Sequence, residues 1–251
     1  MSAQQTGVDN IANNLANANT TAYKQSTIVF QDLLYQSIQT PGQGETTGDT
    51  PPAALQIGHG AAAIATVRKF SQGGFVETGN SLDLAINGNG FFQIQQPDGT
   101  IAYTRDGTFT LDEDGTLVTQ TGLTVEPEIS IPPDAIEIHV SQDGLIKVRT
   151  QGDPELFEVG RIELARFQNP AALNPIGGNL FEQTVASGQP LIGTPGEEGI
   201  GVVRQGFLES ANVDVVQEMV NLISAQRAYE INSKMVTTSD DMLQLANNLK
   251  R

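Results

Sequence analysis

Apolar positions recur in helical register only at the two ends of the chain. Val8, Ile11, Leu15 and Ala18 follow at steps of three, four and three, and Met1 extends the series backward by seven. That is the a/d seam of an amphipathic helix over residues 1–18. A second row, Asn10, Asn13, Asn14 and Asn17, recurs on another face. Asparagine is a poor helix former, so the row costs the helix intrinsic stability. Two readings stand: amides that hydrogen-bond to packed neighbours, or a solvated polar face. Asn19, Thr20 and Thr21 are turn formers and end the helix. They also match a glycosylation sequon, which we read as chance in a chain with no secretory signal.

At the other end the pattern predicts one long helix over 214–250. Asp214 is placed as N-cap, with Gln217 as its capping-box partner. Leu222, Tyr229, Val236 and Leu243 are spaced by sevens, and Ala228, Met235, Met242 and Leu249 form an adjoining row with the same spacing. Two rows make a wide stripe that suits more than one partner helix. At 1.5 Å per residue the helix is roughly 50 Å long, longer than a modest body needs, so it is expected to pair elsewhere. Without partners such helices fray.

Between the ends the period changes. Residues 27–38 are apolar and fit strand or helix. Residues 40–53 are rich in Pro, Gly, Thr and Gln and read as a loop or linker. From Gly60 to about Gly206 the signals are those of strands. Short runs at Leu82–Ile86, Gly90–Gln95, Thr108–Leu111, Ile136–Val140 and Leu145–Val148 alternate with turn dipeptides. Asn87-Gly88, Asp98-Gly99, Asp106-Gly107, Asp114-Gly115 and Asp143-Gly144 each predict a hairpin, the first of type I′. Residues 168–200 read as irregular loops with one strand near Phe181–Thr184. The expected fold is α+β: N- and C-terminal helices pairing as a coiled coil around a mostly antiparallel central β domain. The boundaries read are 1–26 for the first helix, 27–60 for the linker, 61–206 for the β domain and 207–251 for the last helix.

Charge sharpens this division. The chain carries a net −16, but residues 1–40 and 211–251 are each only −1, and the middle holds 22 acids against 8 bases. Near-neutral ends can pack against copies of themselves, whereas strong like charge would repel them. The acidic balance argues against a nucleic-acid binder. The chain has no Cys, so stability must come from packing and assembly. No run approaches a membrane span of ~18 residues. The N-terminus has no basic and apolar signal-peptide pattern, so that export route is not expected.

The chain offers little catalytic chemistry. His59 and His139 stand in different segments, and no nucleophile-elbow pattern is present. Asn87-Gly88-Asn89-Gly90 is Gly-rich but precedes no helix, so it does not cradle a phosphate. Asp112-Glu113-Asp114-Gly115 lacks the twelve-residue calcium loop. No carboxylate pair stands out as a glycosidase dyad. No enzyme, cofactor or metal is expected. Arg227 is followed by Glu230 at i+3, which fits either a surface ion pair or a contact across subunits.

The terminal motifs carry a resemblance. Leu208-Glu209-Ser210-Ala211-Asn212-Val213-Asp214, Glu218-Met219-Val220, Ser224-Ala225-Gln226-Arg227-Ala228-Tyr229-Glu230, Asn232-Ser233-Lys234 and Asp241-Met242-Leu243 resemble the C-terminal motif of bacterial flagellar rod and hook proteins. Ile11-Ala12-Asn13-Asn14-Leu15-Ala16-Asn17-Ala18-Asn19-Thr20-Thr21-Ala22-Tyr23-Lys24 resembles the N-terminal signature of the same family. The pair brackets the whole chain. Within the family the distal-rod branch is the best match, through Phe30–Gln36, Pro41-Gly42, Leu55–Gly60, Asn87–Phe92 and Tyr103–Gly107.

The resemblance implies a non-enzymatic subunit of a helical homopolymer. The tube would be a drive shaft crossing the periplasm within the basal body and a channel for export. Terminal helices would line the tube and the β domain would lie outside. Its implied partners are copies of itself, proximal rod and hook subunits, the rod cap, the surrounding P- and L-ring proteins and the flagellar type III export apparatus, with no nucleic acid and no membrane insertion. The implied assembly interface comprises Val8, Ile11, Asn13, Asn14, Leu15, Asn17, Leu222, Gln226, Arg227, Tyr229, Met235, Val236, Met242 and Leu243. The implied distal-rod loop includes Tyr35, Pro41, Gly42, Leu55, Ile57 and Gly58. Family members begin further upstream, with an Ala/Leu-rich turn before a Gly-Met step, and Met1 is placed at that Met. Ala22 stands where many relatives have Gly, so a left-handed turn there would be strained. Two alternatives stay open: a proximal rod or hook subunit, and, in another class, a secreted β-rich carbohydrate-active enzyme or adhesin.

Overall fold

The computed structural model describes residues 2–39, 55–150 and 155–249. It is α+β, with two helices at the ends of the chain and mostly antiparallel sheets between. The chain divides into two compact units.

One unit gathers Met1–Leu15, Ser26–Val67 and Val215–Arg251. It holds helix α1, Ser2–Ala16, and helix α2, Val215–Leu249. Between them in sequence runs a ribbon. Strand Ser26–Asp32 pairs with Ala61–Arg68, and Tyr35–Gln39 pairs antiparallel with Leu55–Gly58. The apolar stretch 27–38 is therefore strand, as its β-branched and aromatic residues favour. The predicted loop 40–53 lies outside the described residues.

The second unit gathers Ala16–Gln25 and Arg68–Asp214. Its centre is a nine-stranded sheet. Strand Phe91–Gln95 runs through the middle. It pairs on one side with Ile101–Thr104, and it also pairs with Thr124–Glu126 and Leu164–Arg166. A three-stranded sheet, Ala135–Val140, Leu145–Thr150 and Phe157–Arg161, adds to it. Two short ribbons complete the unit: Leu84–Asn87 with Val202–Gln205, and Phe75–Glu77 with Phe207–Glu209. Alternation along the strands sends Leu84, Ile86, Phe92, Ile94, Ile146, Val148 and Leu164 into one core. A second, aromatic cluster packs Phe91, Tyr103, Phe167 and Phe181 edge to face, with Phe70 against it.

Three of the five predicted hairpins form. Asp98-Gly99, Asp114-Gly115 and Asp143-Gly144 each join strands that pair with one another. The other two do not. Leu84–Asn87 pairs with Val202–Gln205, so Asn87-Gly88 carries the chain from one sheet to another and is not a type I′ hairpin. Asp106-Gly107 likewise joins strands that pair elsewhere. The reason at Gly107 is close backbone approach. A Cβ there would lie 1.6 Å from the Leu84 carbonyl oxygen, so only glycine fits.

Candidate assembly surface and its buried anchor

The N-terminal seam is half covered within its own unit. Val8, Ile11 and Leu15 are half-buried and Asn14 is buried. The asparagine row has a definite use. Asn14 donates its amide to the Ser26 carbonyl at 2.8 Å and accepts from the Ser26 N–H at 3.0 Å. Asn10 repeats the exchange, donating to the same carbonyl at 2.9 Å and accepting from the Ser26 hydroxyl at 2.6 Å. Two side-chain amides thus act as the missing sheet partner of Ser26. Asn17 accepts from Thr20 as the helix ends, and Asn13 is exposed.

On α2 the half-covered positions are Asn221, Leu222, Ala225, Ala228, Asn232 and Ser233. They form one stripe at helical spacing. Asn232 donates to the Gln4 side chain at 2.7 Å, and a cleft of about 530 Å³ between the helices is lined by Gln5, Val8, Gln226, Tyr229 and Glu230. Residues 234–248 of the helix are all exposed. Met235 is 66% exposed, Val236 52%, Met242 61% and Leu243 64%. Arg227 is exposed, and among the described residues it makes no ion pair, so its i+3 pairing with Glu230 does not form.

The ribbon is also apolar on its surface. Phe30, Leu33, Leu34, Tyr35, Ile57 and Ile64 are all exposed. Tyr35 sits opposite Gly58 in register, and its ring covers the space where a Gly58 side chain would stand. The Leu55 backbone pairs in this ribbon, while Pro41 and Gly42 lie outside the described residues.

The β body holds a charge cluster that the sequence did not announce. Glu209 ends the strand before α2 and is 1% exposed. Its Oε1 accepts from Lys24 Nζ at 2.6 Å and from the Gly73 N–H at 2.9 Å, and its Oε2 lies 3.3 Å from Arg105 Nε. Lys24 Nζ donates a further bond to the Ser71 carbonyl at 2.9 Å. Arg105 donates to the Gly88 carbonyl. Burial, and then the Arg105 charge, draw the Lys24 ammonium below the ordinary lysine value against the pull of Glu209. The backbone joins in: the Ala22 N–H donates to the Glu209 carbonyl at 2.7 Å, and Asn212 Oδ1 accepts from the Gln25 N–H at 2.7 Å. Residues 22–25, just after α1 in sequence, are thereby tied to residues 209–212, just before α2.

Nothing in this arrangement resembles a reaction centre. His59 and His139 are exposed and apart in sequence, and the described residues contain no group of ligands fit to hold a metal. No described helix is long and apolar enough to cross a membrane.

Three stretches of the chain match known protein families. Residues 1–24 match the family described as flagella basal body rod protein, and 204–249 match the flagellar basal body rod FlgEFG protein C-terminal family. Residues 85–148 match the flagellar hook protein FlgE/F/G D1 domain. The flagellar basal-body rod protein FlgG of Borreliella burgdorferi is 49% identical over 253 residues, covering 100% of this chain and 96% of the relative. The chain belongs to the flagellar basal-body rod protein family.

FlgG of Buchnera aphidicola from Schizaphis graminum is 47% identical over 97% of this chain and 94% of its own length. In Caulobacter vibrioides, FlgG is 45% identical and the rod protein FlgF 36%, so within one organism the chain sides with FlgG. The resemblance read from the terminal motifs is borne out, and the carbohydrate-active alternative falls. This rod protein is a structural subunit and not an enzyme. The family matches also frame the buried anchor: the first ends at Lys24 and the last contains Glu209. In the sequence both residues stand only inside longer motifs. One signal was available: Lys24 is the only base in the first forty residues.

Ala22, in the same segment, has φ 56° and is buried. The left-handed conformation costs a non-glycine residue about 1–2 kcal/mol. Ala22→Gly relieves that strain but removes a buried methyl worth about 0.8 kcal/mol, so it should leave stability nearly unchanged. Ala22→Val adds a branched Cβ to the same backbone and should lose about 2 kcal/mol. Urea unfolding of the two variants checks this, and equal losses in both would contradict the strain argument.

Proposed function

We propose that this rod protein polymerises into the hollow tube of the distal rod, where it transmits torque and encloses the export channel. In this reading α1 and α2 pair as a coiled coil and line the bore, with neighbouring copies completing the stripe. The observation that carries the proposal is the uncovered half of α2. Five apolar residues, Met235, Val236, Met242, Leu243 and Leu245, are exposed within fifteen residues of a single helix. A contiguous apolar row of this kind marks an association surface. The near-neutral charge of both ends removes the repulsion that would oppose it.

Stiffness would follow from packing. Rotating one helix in a close-packed bundle opens many contacts at once, and each lost contact is small but their sum is large. The exposed apolar ribbon would add contacts between copies. Proximal rod subunits, hook subunits, the rod cap and the P- and L-ring proteins are the neighbours such a shaft would meet. The type III export apparatus would deliver the chain to the periplasm-spanning rod. Deleting residues 40–57 should leave the β body folded while the tube bends more easily. Persistence length measured on micrographs checks it, and an unchanged value would contradict it. Gold-labelled antibody applied to isolated basal bodies tests the location: label on the rod between the rings supports the reading, and label confined to hook or filament overturns it.

A further inference from the structure

The buried cluster of Lys24, Arg105 and Glu209 holds two cations against one acid. Lys24 and Arg105 are both buried, and among the described residues the ion pairs of both go to Glu209. One positive charge is left over. Beside it opens a cavity of about 310 Å³ whose lining includes Arg105 and Arg166. Phe91 and Phe167 form apolar walls, and the amide side chains Asn89 and Gln168 stand at the exposed rim. Among the described residues none that lines the cavity is an acid, in a chain with 29 acids and 13 bases.

The two guanidinium groups differ in freedom, and this difference suits a receptor. Arg105 is 4% exposed, tied to the Gly88 carbonyl and set over the Phe91 ring at 5.8 Å. Arg166 is half-buried and makes no ion pair among the described residues. Its backbone lies in strand Leu164–Arg166, paired with Leu191–Gly193. A fixed cation at the base and an unpaired one at the side leave the charge balance to be completed by an anion.

We infer that this cavity is a carboxylate-binding site that takes one carboxylate on a body the size of an amino-acid side chain. A planar guanidinium fork matches a carboxylate through two parallel hydrogen bonds, and the fork left for it is that of Arg166, because Arg105 already meets Glu209 and the Gly88 carbonyl. The aromatic walls suit a flat or aliphatic stem. The volume lies at the small end of ligand pockets, too small for a folded segment or a glycan chain. The carboxylate has two sources with the same chemistry: an Asp or Glu side chain of another copy of this chain, or a free small carboxylate.

The test uses the full chain at a concentration where it stays unassembled. N-acetylglutamate α-amide, whose one ionised group is the side-chain carboxylate, is titrated against the arginine Nε–Hε NMR signals, with the uncharged glutamine analogue as control. The site predicts saturable shifts of the Arg105 and Arg166 signals with the glutamate probe and none with the glutamine one. In Arg166→Gln, whose melting curve should match the parent because that guanidinium has no ion pair to lose, binding should weaken at least tenfold. If the natural carboxylate belongs to another copy, the probe also inhibits assembly and Arg166→Gln raises the concentration at which it begins. If it is a free small molecule, binding saturates and assembly is unmoved. No shift in either arginine signal, equal shifts with the uncharged analogue, or undiminished binding in Arg166→Gln overturns the inference.

Discussion

Replacing Glu209 with alanine is expected to destabilise the β body by about 3–5 kcal/mol, the usual cost of stripping one partner from a buried ion pair. The carboxylate is the single acid paired with Lys24 and Arg105, and all three side chains are nearly inaccessible. Without it, two cations face each other in a medium that screens them poorly. The Gly73 N–H loses its acceptor as well. A domain has only about 5–15 kcal/mol to lose, so a large share of the stability goes with one side chain. Glu209→Gln keeps an acceptor for Gly73 but not the charge, and should fall between the parent and alanine. Denaturant titration followed by circular dichroism reads the difference. A loss below about 1 kcal/mol, the scale of a surface pair, would show that the cluster does not hold the β body together.

Val236→Asp is expected to abolish polymerisation while leaving the monomer untouched. In the single chain Val236 is 52% exposed and an aspartate there stays in water, so the folding stability should change by less than about 0.5 kcal/mol. In the assembled seam the same carboxylate would be buried against apolar neighbours, where an unpaired charge costs several kcal/mol. Even about 3 kcal/mol raises the critical concentration more than a hundredfold, and the penalty recurs at every subunit. Leu222→Asp should also block assembly, but Leu222 is half-buried within its own unit, so some monomer stability goes with it. Sedimentation and melting curves on both variants separate the two effects. Normal polymer from Val236→Asp would contradict the assembly role of the exposed row.

What the sequence disclosed was local and periodic. The two helices follow from apolar residues at steps of three and four, and three of the Asp-Gly turns join paired strands because a tight reversal is written in two residues. The same dipeptide at Asp106-Gly107 misleads. Turn chemistry reports that the chain bends, not which strand it will pair with, and at Gly107 the requirement is room for the Leu84 carbonyl. The asparagine row was visible as a pattern, but its partner was not. Asn10 and Asn14 meet Ser26 only because the chain reverses after α1. Least legible was the cluster of Lys24, Arg105 and Glu209. Its members stand 185 residues apart at the extremes, and only the folded sheets bring them together. Strand Ser26–Asp32 was ambiguous because apolar runs of that length fit either element.

The central claim is that the terminal helices complete their apolar stripes by joining copies of the chain. Electron microscopy of the purified full-length protein, taken from dilute to concentrated solution, tests it most directly. Hollow, straight tubes that appear above a threshold concentration, with the β bodies on the outside, are the predicted result. Single particles at every concentration, with residues 234–249 protected from protease in the monomer, would contradict it.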